Sequence, residues 1–171
     1  MLKKKAGEAS IEERIKELGL VLPEPVQPPP GVKLPFSWVR IRGNRAFFSG
    51  HPPLNPDGSI AQPVGKVGAA VSLEEGVRAA RLTALAILGN LKRALGDLDR
   101  ISAWLRVFGM VNAAPGFNQL PSVINGFSDL IIELYGRERG DHARSAVGLS
   151  ELPFNIPVEI EGEVEISREP L

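Results

Sequence analysis

Hydrophobic positions recur along this chain with two different periods, and the switches between them mark its elements. Residues 10–20 read as a short helix. Ser10 is placed to cap it, Glu12 and Glu13 sit near its positive end, and Ile11, Ile15 and Leu18 share a face. Pro23, Pro25 and Pro28-Pro29-Pro30-Gly31 then impose an extended linker, because proline cannot continue a helix. Residues 38–49 alternate as a hairpin: Val39 and Ile41 interleave with Arg40 and Arg42, and Gly43-Asn44 supplies the turn. After a Pro- and Asp-Gly-rich loop at 51–58, Ser72 and Glu75 form a capping box. Val77, Ala80, Ala84, Ile87, Leu91 and Leu95 keep helical spacing up to Gly96. Residues 101–111 read as a strand with Ile101, Ala103, Leu105 and Val107 on one face and Trp104, Phe108 and Met110 on the other. A second amphipathic helix spans 122–135 with Gly136 as its stop, and two strands follow near 143–149 and 158–166.

The order β-β-α-β-α-β-β predicts an α+β domain over residues 35–171, with residues 1–34 as a helical and proline-rich extension. Two helices cover one face of such a sheet. The face assigned to Trp104, Phe108 and Met110 would then meet water, and each large side chain buried contributes about 1.5–3 kcal/mol. The pattern therefore predicts a homo-oligomer, with interface burial a better use for Trp104 and Phe108 than stacking on nucleic-acid bases.

Composition narrows the chemistry. Hydrophobic residues make up 43% and charged residues 23%, as in ordinary globular domains, and 20 Lys and Arg balance 20 Asp and Glu. That balance argues against a dedicated nucleic-acid binder, which needs cations for its phosphate contacts. With no cysteine, disulfides and thiolate sites are excluded. Residues after Met1-Leu2-Lys3-Lys4-Lys5 are polar where a signal peptide is apolar, and no run of about 20 apolar residues occurs, so a cytoplasmic location is expected. Gly65-Lys66-Val67-Gly68 is a chance-level match to nucleic-acid-clamping loops. His51 and His142 have no acidic neighbour at metal-ligand spacing, and Ser49 has no readable triad partner.

Two strands carry the informative charges. Arg144 interrupts an apolar strand, where a guanidinium needs a carboxylate or a solvated cleft. On the last strand Val158, Ile160, Val164 and Ile166 alternate with Glu159, Glu161, Glu163 and Glu165. His142-Ala143-Arg144-Ser145-Ala146-Val147, Leu152-Pro153 and Val158-Glu159-Ile160-Glu161 together resemble the C-terminal signature of the RidA/YjgF (reactive intermediate deaminase) family. Phe47-Phe48-Ser49-Gly50, Asn55-Pro56-Asp57-Gly58, Asn90-Leu91, Gly96-Asp97-Leu98 and Asn125 agree with it.

The resemblance covers roughly residues 35–166. It implies a chorismate-mutase-like fold, a homotrimer, and hydrolysis of reactive enamines and imines such as 2-aminoacrylate to a keto acid and ammonia, without cofactor or metal. It further implies that Arg144 binds the substrate carboxylate and that Glu159, beside it in a cleft between subunits, positions the attacking water. Asn125, Ser49, the backbone at Ala146 and Phe36 complete the pocket, Phe36 standing where the family often has tyrosine. A non-catalytic trimer binding keto or amino acids is the alternative, and an endoribonuclease fits the neutral charge less well. The chain also differs from shorter relatives by about 20 extra N-terminal residues and by insertions near 63–71 and 112–120.

Overall fold

Ser10 and Ser72 open their helices in the same way. Each hydroxyl accepts the backbone N–H three residues on, and the glutamate there accepts the serine's own N–H, so two orphan donors are satisfied at each start. A computed structural model describes residues 9–28 and 30–167; the basic Met1–Lys5 run and Pro29 fall outside them. The helices are α1 (Ile11–Glu17), α2 (Leu73–Leu95) and α3 (Leu120–Gly140); the strands are β1 (Val39–Arg42), β2 (Arg45–His51), β3 (Ile101–Asn112), β4 (Ala143–Leu149) and β5 (Val158–Ile166). The left-handed Gly96 ends α2, as its sequence position predicts. Gly136 breaks α3 (φ 70°), but one more turn follows it to Gly140. No helix among the described residues is long and apolar enough to cross a membrane.

The five strands form one sheet in the order β1-β2-β5-β3-β4. Only β3 and β4 are parallel, with α3 as their crossover. Strand β5 lies in the middle, antiparallel to β2 and β3. Its alternation is as the sequence implies: Val158, Ile160, Val164 and Ile166 are buried beneath α2 and α3, and the four glutamates occupy the opposite face.

Strand β3 corrects one expectation. Trp104 faces the helices, not the open side, and is 2% exposed. Two residues of β3, Ser102 and Leu105, have no partner on β5: Ala103 pairs with Glu165, Trp104 with Val164 and Arg106 with Glu163. Each bulge inverts the two-residue alternation, so the face is reversed between them and restored at Val107. Phe108 and Met110 keep the open face, together with Phe47 of β2 and Val147 of β4. Trp104 instead centres an aromatic cluster, edge-on to Phe48, Phe127 and Tyr135 at 5.6–5.8 Å. Its indole N–H has no partner among the described residues, a cost of about 1–3 kcal/mol that the surrounding aromatic packing offsets.

The N-terminal extension is packed onto this body. Ile11 and Ile15 belong to the core, the Arg14 guanidinium donates to the Leu134 carbonyl at 2.8 Å, and the Ile11 N–H donates to the Asp99 carboxylate at 3.3 Å. Beyond α1 the chain runs along the loop at 55–59, with Glu24 N–H on the Pro56 carbonyl and Gln27 N–H on the Gly58 carbonyl.

A polar relay, buried at Asn90 and His51, joins that extension to the end of β2. Arg93 donates to the Pro23 carbonyl and, through two nitrogens, to Asn90 Oδ1. The Asn90 amide nitrogen is therefore turned to His51 Nε2, 2.8 Å away, while His51 Nδ1–H donates to the Ser49 carbonyl at 2.6 Å. Burial lowers the His51 pKa to about 4, opposed by the Ser49 bond and assisted by the Arg93 charge, so the ring is neutral. The unfolded chain binds a proton here below pH 6.5 and the folded chain does not until about 4, so this group's contribution to stability falls as pH drops through that window. Between pH 7.5 and 5 the loss is about 2 kcal/mol by this linkage. Urea unfolding of the wild type and His51→Gln at both pH values checks it: the acid sensitivity shrinks by that amount in the variant.

Candidate functional site

Strand β4 is an edge strand, and Arg144 lies second in it, opposite Val107 and so on the helix-covered side. From there its guanidinium reaches over the first turns of α3. It donates to Asn125 Oδ1 and Ser128 Oγ, both at 3.0 Å, and to the Pro121 carbonyl at 3.4 Å. All three acceptors are neutral. Among the described residues no carboxylate lies within ion-pair distance of Arg144, although the nearby Asp129 charge partly offsets a lowering of its pKa by burial.

The cluster has a fixed hydrogen-bond polarity. Arg144 can only donate and the Gly140 carbonyl can only accept. Ser128 Oγ therefore accepts from Arg144 and gives its own proton to His142 Nε2 at 2.9 Å, and His142 Nδ1–H donates to Gly140 at 2.7 Å. Burial lowers the His142 pKa, and the Arg144 charge adds to this against the Gly140 bond, which keeps the ring in the neutral form that this polarity needs. Asn125 and Ser128 are one helical turn apart, which is why both reach the same guanidinium.

Glu159 stands elsewhere. It pairs across β3 with Met110, on the open face, and its side chain enters a cavity of about 180 Å³ at the end of the sheet. There β2 bulges between Phe48 and His51. The wall beside Glu159 is Gly50: a Cβ built at position 50 would overlap the carboxylate, so glycine is what permits this approach. Phe36 and Trp38 line the same cavity with their rings edge to face at 5.1 Å, and Trp38 rests on His51 at 4.8 Å. Phe154 forms its lip, and Phe154 and the next residue, Asn155, are in left-handed backbone (φ 56° and 57°), uncommon for asparagine and an outlier for phenylalanine. Burial raises the Glu159 pKa, and the neighbouring Glu161 charge raises it further.

The six residues singled out from the sequence thus divide into two groups. Arg144 and Asn125 are bonded to each other, with Ala146 two residues along the same face of β4. Glu159 and Phe36 share the cavity, and Ser49 lies next to it, its Oγ bonded to the Ser37 carbonyl at 2.8 Å. Within one chain Arg144 and Glu159 do not meet, because β3 lies between their strands and the sheet separates their faces. His142 stands at the entry to β4 beside the Arg144 cluster, as the sequence suggests; sequence reasoning missed Ser128, Gly50 and Trp38 as members of these groups. For Ser128 a signal existed in its spacing of three from Asn125; Gly50 carried none beyond its place next to Ser49. Neither histidine belongs to a metal-competent cluster. The one such group among the described residues is Glu12, Asp97 and Asp99, far along the sequence from both sites.

Comparison with known proteins bears on the fold and the family. Residues 12–159 match the family described as "YjgF/chorismate mutase-like, putative endoribonuclease". Protein TCP17 of Trypanosoma cruzi is 36% identical over 157 residues, covering 92% of this chain and 94% of that protein. The crystal structure of Atu1372 from Agrobacterium tumefaciens, a protein of unknown function, is 42% identical with a TM-score of 0.81 and 92% of each chain covered. A Shewanella oneidensis structure that bears the same endoribonuclease designation is 30% identical with a TM-score of 0.83, covering 92% of this chain and all of that one (100%). The five-stranded sheet with its two covering helices is the fold of these relatives, and the chain belongs to the RidA/YjgF family.

Proposed function

We propose that this protein is an imine/enamine deaminase, assembled as a homotrimer, in which the Glu159 cavity of one subunit faces the Arg144 cluster of the next. The observation that carries the reading is the guanidinium held in place by neutral acceptors alone, with its charge left for an incoming anion. Arginine suits a carboxylate because its planar fork offers two parallel charge-assisted hydrogen bonds. In a 2-imino acid the carboxylate and the reacting carbon are bonded neighbours. No such molecule spans from Arg144 to Glu159 through the sheet of one chain, so a second copy has to complete the cleft. The apolar side chains of the open face, Phe47, Phe108, Met110 and Val147, favour such an association.

The chemistry needs little else. Water adds its oxygen to the C=N carbon while Glu159 takes one of its protons, and the nitrogen receives the π electrons and a proton. The resulting carbinolamine then breaks its C–N bond, releasing ammonia, and loses the hydroxyl proton to leave the keto acid. A carboxylate whose pKa is raised by burial is a stronger base than a solvated one and takes the proton of the attacking water more readily. Positioning of the carboxylate and the water supplies most of the acceleration.

Three outcomes test this reading. Arg144→Ala abolishes turnover of 2-aminoacrylate generated in the cuvette, at a cost of about 2–5 kcal/mol in transition-state stabilisation; unchanged turnover removes Arg144 from the mechanism. Gly50→Ala pushes the Glu159 carboxylate aside, so kcat falls at least about tenfold while thermal stability holds, since only the end of a flexible side chain must move. Light scattering gives a mass near three times the 18.4 kDa chain at micromolar concentration. If 2-aminoacrylate decays at the uncatalysed rate while a keto acid raises the melting temperature, the protein is a binder and not an enzyme.

A further inference from the structure

The cavity that holds Glu159 is larger and more apolar than a three-carbon substrate fills. Of the side chains that line it, only Gln27, Trp38 and Glu159 carry polar atoms. Gln27 spends its amide elsewhere, donating to the Asp57 carbonyl at 3.0 Å, and so presents carbon to the interior. An apolar cavity of about 150 Å³ accommodates a benzene molecule, and this one measures about 180 Å³. The 2-aminoacrylate skeleton has a single carbon beyond the reacting centre and leaves most of that space to water, against walls that offer water few hydrogen bonds.

From this we infer that the protein acts on 2-imino or 2-enamino acids with a bulky apolar side chain, aromatic or branched aliphatic, and that the N-terminal extension is a specificity element. The inference rests on the deaminase reading and assigns the substrate class at its site. Val26 and Gln27 form one wall, and the backbone of this segment is fastened by the Glu24 bond to Pro56 and the Gln27 bond to Gly58. Ile60 and Phe36 stand among the other walls, and Phe154 closes the lip. With the carboxylate on Arg144 and the imine carbon at Glu159, the side chain of the substrate extends into this space. Burial of an isobutyl or benzyl group there favours the larger substrate by at least about tenfold in kcat/KM.

The test uses the full-length protein and imines made in place by an amino-acid oxidase from phenylalanine, leucine and alanine, with trapping of residual imine as semicarbazone. Calorimetry of phenylpyruvate and pyruvate binding runs beside it. Expected are a kcat/KM at least tenfold higher for the phenylalanine and leucine imines than for the alanine imine, and tighter binding of phenylpyruvate than of pyruvate. Val26→Trp, which fills the cavity from the extension side without adding charge, reduces both preferences. If the alanine imine is hydrolysed as fast as the others and the two keto acids bind alike, the side-chain pocket is refuted and the deaminase reading survives. If no imine is hydrolysed yet phenylpyruvate still binds tighter, the pocket stands and the deaminase reading falls. A Val26→Trp variant with undiminished preferences removes the extension from specificity.

Discussion

The sheet acts as a partition between two opposite charges. Arg144 is tied to α3 on one side and Glu159 is lodged beside Gly50 on the other, with β3 between their strands. Kept apart, each retains its bonding capacity, and each is held by its own local device. For the arginine this is a directed chain of neutral hydrogen bonds; for the glutamate it is an apolar wall that lacks a Cβ at the point of contact. Oriented groups with unspent charge are what recognition of a charged small molecule requires.

Much of this architecture is visible in the amino-acid order because local rules and tertiary packing agree. The N-cap at Ser10, the capping box at Ser72, the Gly43-Asn44 turn and the unbroken alternation of β5 each rest on short-range patterns, and each is where the spacing puts it. Trp104 is the counterexample. Its face is set by two bulges whose cause lies in the pairing of β3 with β5, and a strand read alone carries no mark of an extra residue. The site was legible in part for the same reason. Arg144 stands out as a guanidinium within an apolar strand, whereas only the family resemblance separates Glu159 from the other three glutamates of β5. The separation of Arg144 from Glu159 depends on the order in which five strands assemble, which one strand's pattern does not encode.

The extension shows how a segment that reads as a linker becomes part of the body. Prolines keep it extended, and an extended chain lies along a surface and meets several elements in turn. Its carbonyl at Pro23 receives Arg93, whose other bonds orient Asn90 and, through it, the neutral His51 ring beneath Trp38. A chain of contacts therefore runs from α2 to the floor of the Glu159 cavity, and the same extension supplies that cavity's outer wall.

The left-handed pair at the cavity lip has a mechanical consequence. Asn155 is fastened on three sides: its backbone N–H to the Leu152 carbonyl, its carbonyl to the Gly65 N–H, and its side-chain oxygen to Asn112 at the end of β3. Phe154 is adjacent, in a backbone region unfavourable to it, so the backbone of this rim is tied at once to the 63–71 loop and to the end of β3, two segments distant in the chain.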